Sequence, residues 1–255
     1  MSISKTITVG GKTINRIGLG TNRLENTPQN RSFLEEAVEA GIGMIDSAHL
    51  YTSGESERTI GAASLGDEVL IATKGGFHSG DPEKVRAEIE QSFTSLGSEK
   101  IALWYLHRVD DDVALEETLG AVKEFVDAGR IEHVGLSQVD EATIERGSAV
   151  LPIAAVQNEY NLGERGYDGV VDYCEEKGIA FVPFFPLRGG DKKQLEEIAS
   201  HYDSTAQQVK VAWMLRRSPA LLPIPGTLDI EHLKGNIAAL EIELSDEDYA
   251  ALWPS

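Results

Sequence analysis

Short apolar, β-branched runs alternate with amphipathic runs of helical period along the whole 255-residue sequence. Strand-like runs occupy 14–21, 43–48, 68–76, 101–108, 131–138, 153–161, 179–187 and 220–227. Helix-like runs follow them in turn at 30–41, 54–64, 81–97, 114–129, 140–149, 166–178, 191–202 with 205–217, and 230–240. The run 81–97 carries Asp81 as N-cap, Pro82 at the first helical position and Gly97 at the end. Ahead of these units, "KTITVGGKTI" reads as a hairpin turning at Gly10-Gly11, and behind them 245–253 reads as one more helix. Eight strand–helix units with no Pro/Ser-rich linker predict an α/β fold: one (β/α)8 TIM barrel domain over 1–255, with an N-terminal β-hairpin cap and an extra C-terminal helix. A doubly wound sheet would carry a G-x-G-x-x-G turn after its first strand, and "GLGTNRL" lacks the third glycine.

The formal net charge of −19 argues against nucleic acid or an anionic membrane as partner, because the field repels phosphate. An anionic cofactor would need a local positive site. The lone Cys174 excludes an intramolecular disulfide or multi-cysteine zinc site and reads as a buried structural thiol. No apolar run reaches membrane-spanning length, and "MSISKTITVGG" lacks a signal-peptide hydrophobic region, so a cytoplasmic protein is expected.

Active sites of such barrels gather at the C-terminal strand ends. Those ends here carry Asp46 with Tyr51 beyond it, Lys74, His107, Ser137-Gln138, Gln157-Asn158, Phe184-Phe185-Pro186 and "IPGT". Lys74 follows the apolar "VLIAT", so its ammonium needs a partner, and Asp46 one strand away supplies one. A charged lysine beside a phenol is expected to lower the phenol's pKa towards the working range. Tyr51 thus reads as a general acid/base, with His107 as a second hydrogen-bond donor, suited to protonating a carbonyl oxygen as hydride arrives, or to the reverse. Taken singly, a histidine after a strand or a Lys–Asp pair reads as structural; the four together at adjacent strand ends point to chemistry. Trp104 and Tyr105 read as packing residues.

The blocks "KTITVGGKTINRIGLGT", "IDSAHLYTSGESERTIG", "IATKGG", "WYLHR", "HVGLSQ", "VQNEYN", "FFPL" and "IPGT…HLKGN" resemble, in order and spacing, the aldo-keto reductase superfamily of NADP-dependent carbonyl reductases. The resemblance implies a catalytic tetrad of Asp46, Tyr51, Lys74 and His107. It implies nicotinamide contacts from Ser137, Gln138 and Gln157, stacking by Phe184, and pyrophosphate contacts near Leu187 and Gly189. Gly226 and His232 stand where many members place a Lys and an Arg for the 2′-phosphate, with Thr227, Lys234 and Asn236 nearby. NADPH is therefore the expected cofactor and NADH a possible one; no metal is implied. Asn22 and Gly76 replace bulky aromatics, which implies an open pocket with Arg108 at its edge and His49 either facing it or capping the loop. Arg23, Arg108 and Arg188 on its rim suit an anionic substrate or serve phosphates and salt bridges. The expected partner is a small-molecule carbonyl substrate and the expected state a monomer. Two alternatives are an alcohol or sugar dehydrogenase working oxidatively and an NADPH-binding regulatory protein resembling the family's channel subunits.

Overall fold

The computed structural model describes residues 3–253; residues 1, 2, 254 and 255 of the 1–255 span lie outside it. The hairpin pairs β1 (Thr6–Val9) with β2 (Lys12–Asn15). Its turn places Gly10 and Gly11 at φ 56° and 84°, the left-handed pair a tight hairpin needs. Seven parallel strands then neighbour one another in chain order: β3 (Gly18–Gly20), β4 (Met44–Asp46), β5 (Leu70–Gly75), β6 (Ile101–Leu106), β7 (Ile131–Ser137), β8 (Ile153–Gln157) and β9 (Ala180–Phe181).

The expected 14–21 strand divides in two. Its first part completes the hairpin and its second, β3, enters the barrel. Between them Arg16 is buried, with no carboxylate in ion-pair reach among the described residues, and donates to the carbonyls of Ser4, Leu215, Ser218 and Leu221 at 2.6–3.1 Å. Burial lowers its pKa to about 10.

The expected strand 179–187 shortens to two residues, because Pro183 has no N–H to continue the ladder; only a bridge between Phe184 and Glu159 remains. The expected strand 220–227 is likewise reduced to a bridge from Leu221 to Phe181. It nevertheless closes the barrel. Gly18 and Gly20 donate to the carbonyls of Pro223 and Pro225 at 3.0 and 3.4 Å, while the two prolines have no N–H to return. This seam is close: a Cβ on Gly18 would lie 2.8 Å from Ile224 Cγ2.

The helices are α1 (Pro28–Glu39), α2 (Glu55–Ala62), α3 (Pro82–Leu96), α4 (Leu115–Asp127), α5 (Glu141–Ser148), α6 (Asp168–Lys177), α7 (Lys192–His201), α8 (Ala206–Arg217), α9 (Ile230–Ala238) and α10 (Asp246–Ala251). Asp81, Pro82 and Gly97 bound α3 as the sequence predicts. No helix among the described residues is long and apolar enough to cross a membrane.

Alternation along the strands sorts the core into two layers. Trp104, Leu106 and Val156 pack outward against the helices, while Leu70, Leu103, Tyr105 and Leu222 fill the barrel. Ile7, Val9 and Ile14 of the hairpin join the interior cluster and plug the end opposite the C-terminal ends of the barrel strands. Cys174 is buried in the outer layer, and burial pushes its thiol up to about 12.

Candidate active site

Asp46 is the last residue of β4, Lys74 lies near the end of β5, and His107 follows β6. In register, Lys74 is opposite Tyr105, which places the ammonium at the barrel mouth above that ring. Lys74 is fully buried; its Nζ donates to Asp46 Oδ2 and to the Ser47 carbonyl, both at 2.6 Å. Burial alone would lower its pKa, but Asp46 and Tyr51 outweigh it and hold it above the usual value. The second Asp46 oxygen accepts from Gln157 Nε2 at 2.9 Å. Below this carboxylate, Thr21 donates to the Asp46 carbonyl at 2.8 Å and shares hydrogen bonds of 2.7 Å with Ser56, as does Ser47.

Tyr51 reaches the group from a loop. After it, Thr52, Ser53 and Gly54 take left-handed φ values of 47°, 56° and 82° before α2 begins. A left-handed conformation costs a non-glycine residue about 1 kcal/mol. Thr52 Oγ1, donating to the Leu24 carbonyl at 2.8 Å, helps hold the turn. Gln138 and Phe185, at φ 57° and 51°, are strained in the same way and both line the cavity described next.

The Tyr51 hydroxyl lies 3.4 Å from Lys74 Nζ, and its ring meets His107 edge-on at 5.9 Å. The expected lowering of the Tyr51 pKa is overturned. Burial is the largest influence and, with Asp46, raises the phenol above its ordinary value despite the pull of Lys74. Burial and the Lys74 charge push His107 down to about 2, so its ring is neutral, and its buried Nδ1 has no partner.

A cavity of about 760 Å³ opens over these groups. Asp46, Tyr51, His107, Ser137, Gln138, Gln157, Phe184, Leu187, Gly226, Asn22 and Arg108 line it. Lys74 lies behind this wall. Gly226, Thr227, His232 and Asn22 line a second cavity of about 500 Å³, which shares Gly20, Thr21 and Arg23 with the first. Ser137 Oγ donates to the Gln157 carbonyl at 2.8 Å, leaving its lone pairs to accept. Both polar atoms of the Asn158 amide bond the backbone of Val139, fixing the loop after β7.

Other expected residues lie outside both cavities. His49 caps the loop: Nδ1 is 3.0 Å from the Lys74 carbonyl and Nε2 3.5 Å from Glu88. Gly76, at φ 71°, faces Leu106, where a Cβ would come within 2.5 Å of a methyl carbon. Gly189 packs on the Gly163 backbone, Lys234 pairs with Glu231 at 2.9 Å, and Asn236 is buried on α9. The expectation of a pocket stripped of its aromatic after the lysine is also corrected. Phe77, one residue beyond Gly76, lines the cavity 4.9 Å from the His107 ring. Phe77, Phe185 and Glu159 are wall residues the sequence reading did not place in the substrate pocket; an aromatic directly after "KGG" was the available signal.

A model of the Aldo/keto reductase family matches residues 16–253. This chain belongs to the aldo-keto reductase family. Its barrel is that of the family, and it is an oxidoreductase of that family. An uncharacterized oxidoreductase of Schizosaccharomyces pombe is 35% identical over 97% of this chain and 88% of its own. Pyridoxine 4-dehydrogenase of Escherichia coli is 31% identical over 98% and 97%. The crystal structure of an aldo/keto reductase from Klebsiella pneumoniae in complex with NADP and acetate is 28% identical, covers 98% of this chain and 94% of its own, and superposes with a TM-score of 0.89.

Proposed function

We propose that this aldo-keto reductase reduces an aldehyde or ketone to the alcohol with NADPH, Tyr51 giving the proton. The observation that carries the reading is the buried Asp46–Lys74 pair behind the Tyr51 hydroxyl, with a neutral His107 edge-on to the phenol at the cavity wall. The donor set suits a nicotinamide. Ser137 Oγ, the Gln138 amide and Gln157 Oε1 offer partners for a carboxamide, and the half-buried Phe184 offers a ring face. When bound, the reduced cofactor supplies the hydride.

The residues of the chain do the rest. His107, uncharged, donates one N–H to orient the carbonyl oxygen. Tyr51 transfers its phenolic proton to that oxygen as the carbon accepts hydride, so C=O becomes CH–OH. Lys74 stabilises the phenolate left behind, and Asp46 keeps Lys74 charged. Every residue invoked comes from this one chain, taken as one domain over 1–255, so the reading needs no partner subunit. NADPH accords with the NADP bound in the Klebsiella pneumoniae relative. Arg23, His232 and Asp229 line the second cavity together, and the Asp229 carboxylate already caps α9.

The pyridoxine dehydrogenase relative favours a second reading, oxidation of an alcohol. That direction needs Tyr51 to take a proton as phenolate, and burial, by raising the phenol's pKa, keeps the phenolate scarce near neutral pH. The test is Tyr51→Phe, assayed by reduced-cofactor consumption over a panel of aldehydes and ketones. Turnover should fall by roughly 100-fold or more while NADPH still quenches tryptophan fluorescence. Unchanged turnover would remove Tyr51 from the chemistry.

A further inference from the structure

The cavity carries positive charge that proton and hydride transfer do not use. Arg23, Arg108 and Arg188 all line it, in a chain of net charge −19. The three differ. Arg188 is paired with Glu159 at 3.1 Å and lies over the Phe185 ring. Arg23 borders the second cavity as well as the first. Arg108 belongs to the first cavity only, and among the described residues no carboxylate lies within ion-pair distance of it. The nearest acidic residue in sequence, Asp110, is already engaged. Its Oδ2 accepts the Gly80 N–H at 2.7 Å and its Oδ1 the Asp112 N–H at 3.0 Å.

Arg108 is also held in place. Its guanidinium lies 4.3 Å from the centre of the Phe77 ring. Phe77 in turn lies 4.9 Å from His107, which meets Tyr51 at 5.9 Å. The contact with the ring restrains the exposed guanidinium and leaves its N–H groups available for a carboxylate, which a guanidinium can grip through two parallel hydrogen bonds. The Phe77 ring adds an apolar edge beside His107.

The geometry points to Arg108 as a specificity-determining residue that selects carbonyl substrates bearing a carboxylate, with Phe77 packing against the carbon frame between the two groups. The inference rests on the carbonyl-reduction reading for where the aldehyde or ketone sits.

The test uses 4-formylbenzoate and its neutral methyl ester as probes. Their binding to the NADP⁺-saturated protein is measured by calorimetry, and their turnover with NADPH in parallel. The wild type should bind the carboxylate probe about tenfold or more tighter than the ester, and added salt should narrow the ratio. Arg108→Met, which retains the apolar stem, should bring the ratio close to one. Arg108→Lys, which keeps charge but loses the planar fork, should give an intermediate ratio and serves if the methionine variant does not fold. A wild type that binds the two probes equally, or fails to bind 4-formylbenzoate, overturns the inference. So does a ratio that survives both substitutions. Selective binding without turnover of either probe would instead overturn the carbonyl-reduction reading and leave the anion site standing.

Discussion

Gln157 and Asp46 project from strands on opposite sides of the barrel, and the Gln157 amide donates to Asp46 Oδ1 at 2.9 Å. With Lys74 on the other oxygen, the carboxylate is held from both sides of the mouth. Gln157→Leu leaves Oδ1 buried without a partner, which should cost about 1–3 kcal/mol of stability. Urea denaturation measures this. An unchanged midpoint would mean that water or another donor takes over the bond.

The Asp46–Lys74 pair is buried on both sides, so removing one partner strands the other charge. Asp46→Leu alone, or Lys74→Met alone, should destabilise by about 3–5 kcal/mol. The double variant should be less destabilised than the sum of the two. A double-mutant cycle on unfolding free energies reads the coupling; simple additivity would contradict an energetically linked pair.

Two pKa shifts predict opposite ends of the pH scale. Tyr51 is raised, so it remains protonated past the ordinary phenol value of 10.0, and turnover in the reducing direction should hold through neutral pH and fall only on the alkaline side beyond it. A steady-state pH profile with an alkaline limb near neutrality would contradict this. His107 moves from 6.5 in the unfolded chain to about 2 in the fold. Its folded-state value is depressed, so its contribution to stability is fully present above 6.5 and is lost as pH falls towards 2. Below 6.5, the wild type should lose stability relative to His107→Gln by up to about 1.4 kcal/mol per pH unit. Denaturation midpoints of the two proteins, compared from neutral to acid pH, test the sign.

Gly135 on β7 has no room for a methyl group, since a Cβ would fall 2.4 Å from the Tyr105 ring. That ring lies 5.9 Å beneath Lys74 Nζ. Gly135→Ala should therefore cost about 1–3 kcal/mol by overpacking and lower turnover as well, though the residue touches no substrate. Thermal unfolding with steady-state rates would show both effects; loss of stability with a normal rate would mean that the ring moves without carrying Lys74.

His232 lies on the second cavity beside Asp229, whose carboxylate accepts the N–H groups of Glu231 and His232. His232→Arg should tighten NADPH by about tenfold or more and leave NADH nearly unchanged, because a guanidinium adds one charge-assisted contact to a 2′-phosphate. Fluorescence titration with each cofactor decides it. Equal gains for both would place the 2′-phosphate elsewhere.

Local features were legible in the sequence because neighbours in the chain cause them. The cap at Asp81, the stop at Gly97 and the two-glycine hairpin turn need no tertiary information. The gathering of Asp46, Tyr51, Lys74 and His107 was legible because a parallel barrel brings the carboxyl ends of its strands to one rim whatever the helices do. The short β9 was written in Pro183, yet the apolar, aromatic run around it dominates a pattern-based reading. Two other features depend on distance rather than pattern. The Gln157–Asp46 bond joins residues 111 positions apart. The direction of the Tyr51 shift turns on burial outweighing a cation, and neither magnitude is written in residue order. Gly76 and Phe77 show the smallest such gap: the aromatic that lines the cavity stands one residue beyond a left-handed glycine.

The proline-lined seam also sets a timetable. Arg16 and its carbonyl partner Leu221 are 205 residues apart, and the cavity wall runs from Gly20 and Thr21 on one lip to Ile224 and Gly226 on the other. As the chain leaves the ribosome, Asp46, Tyr51, Lys74, His107 and Gln157 emerge well before the residues that close the barrel around them. These residues are thus synthesised early and the chamber that shelters them is finished late, at the entropic expense of a closure that spans most of the chain. A nascent chain interrupted before Gly226 holds these five residues with one wall of their cavity missing.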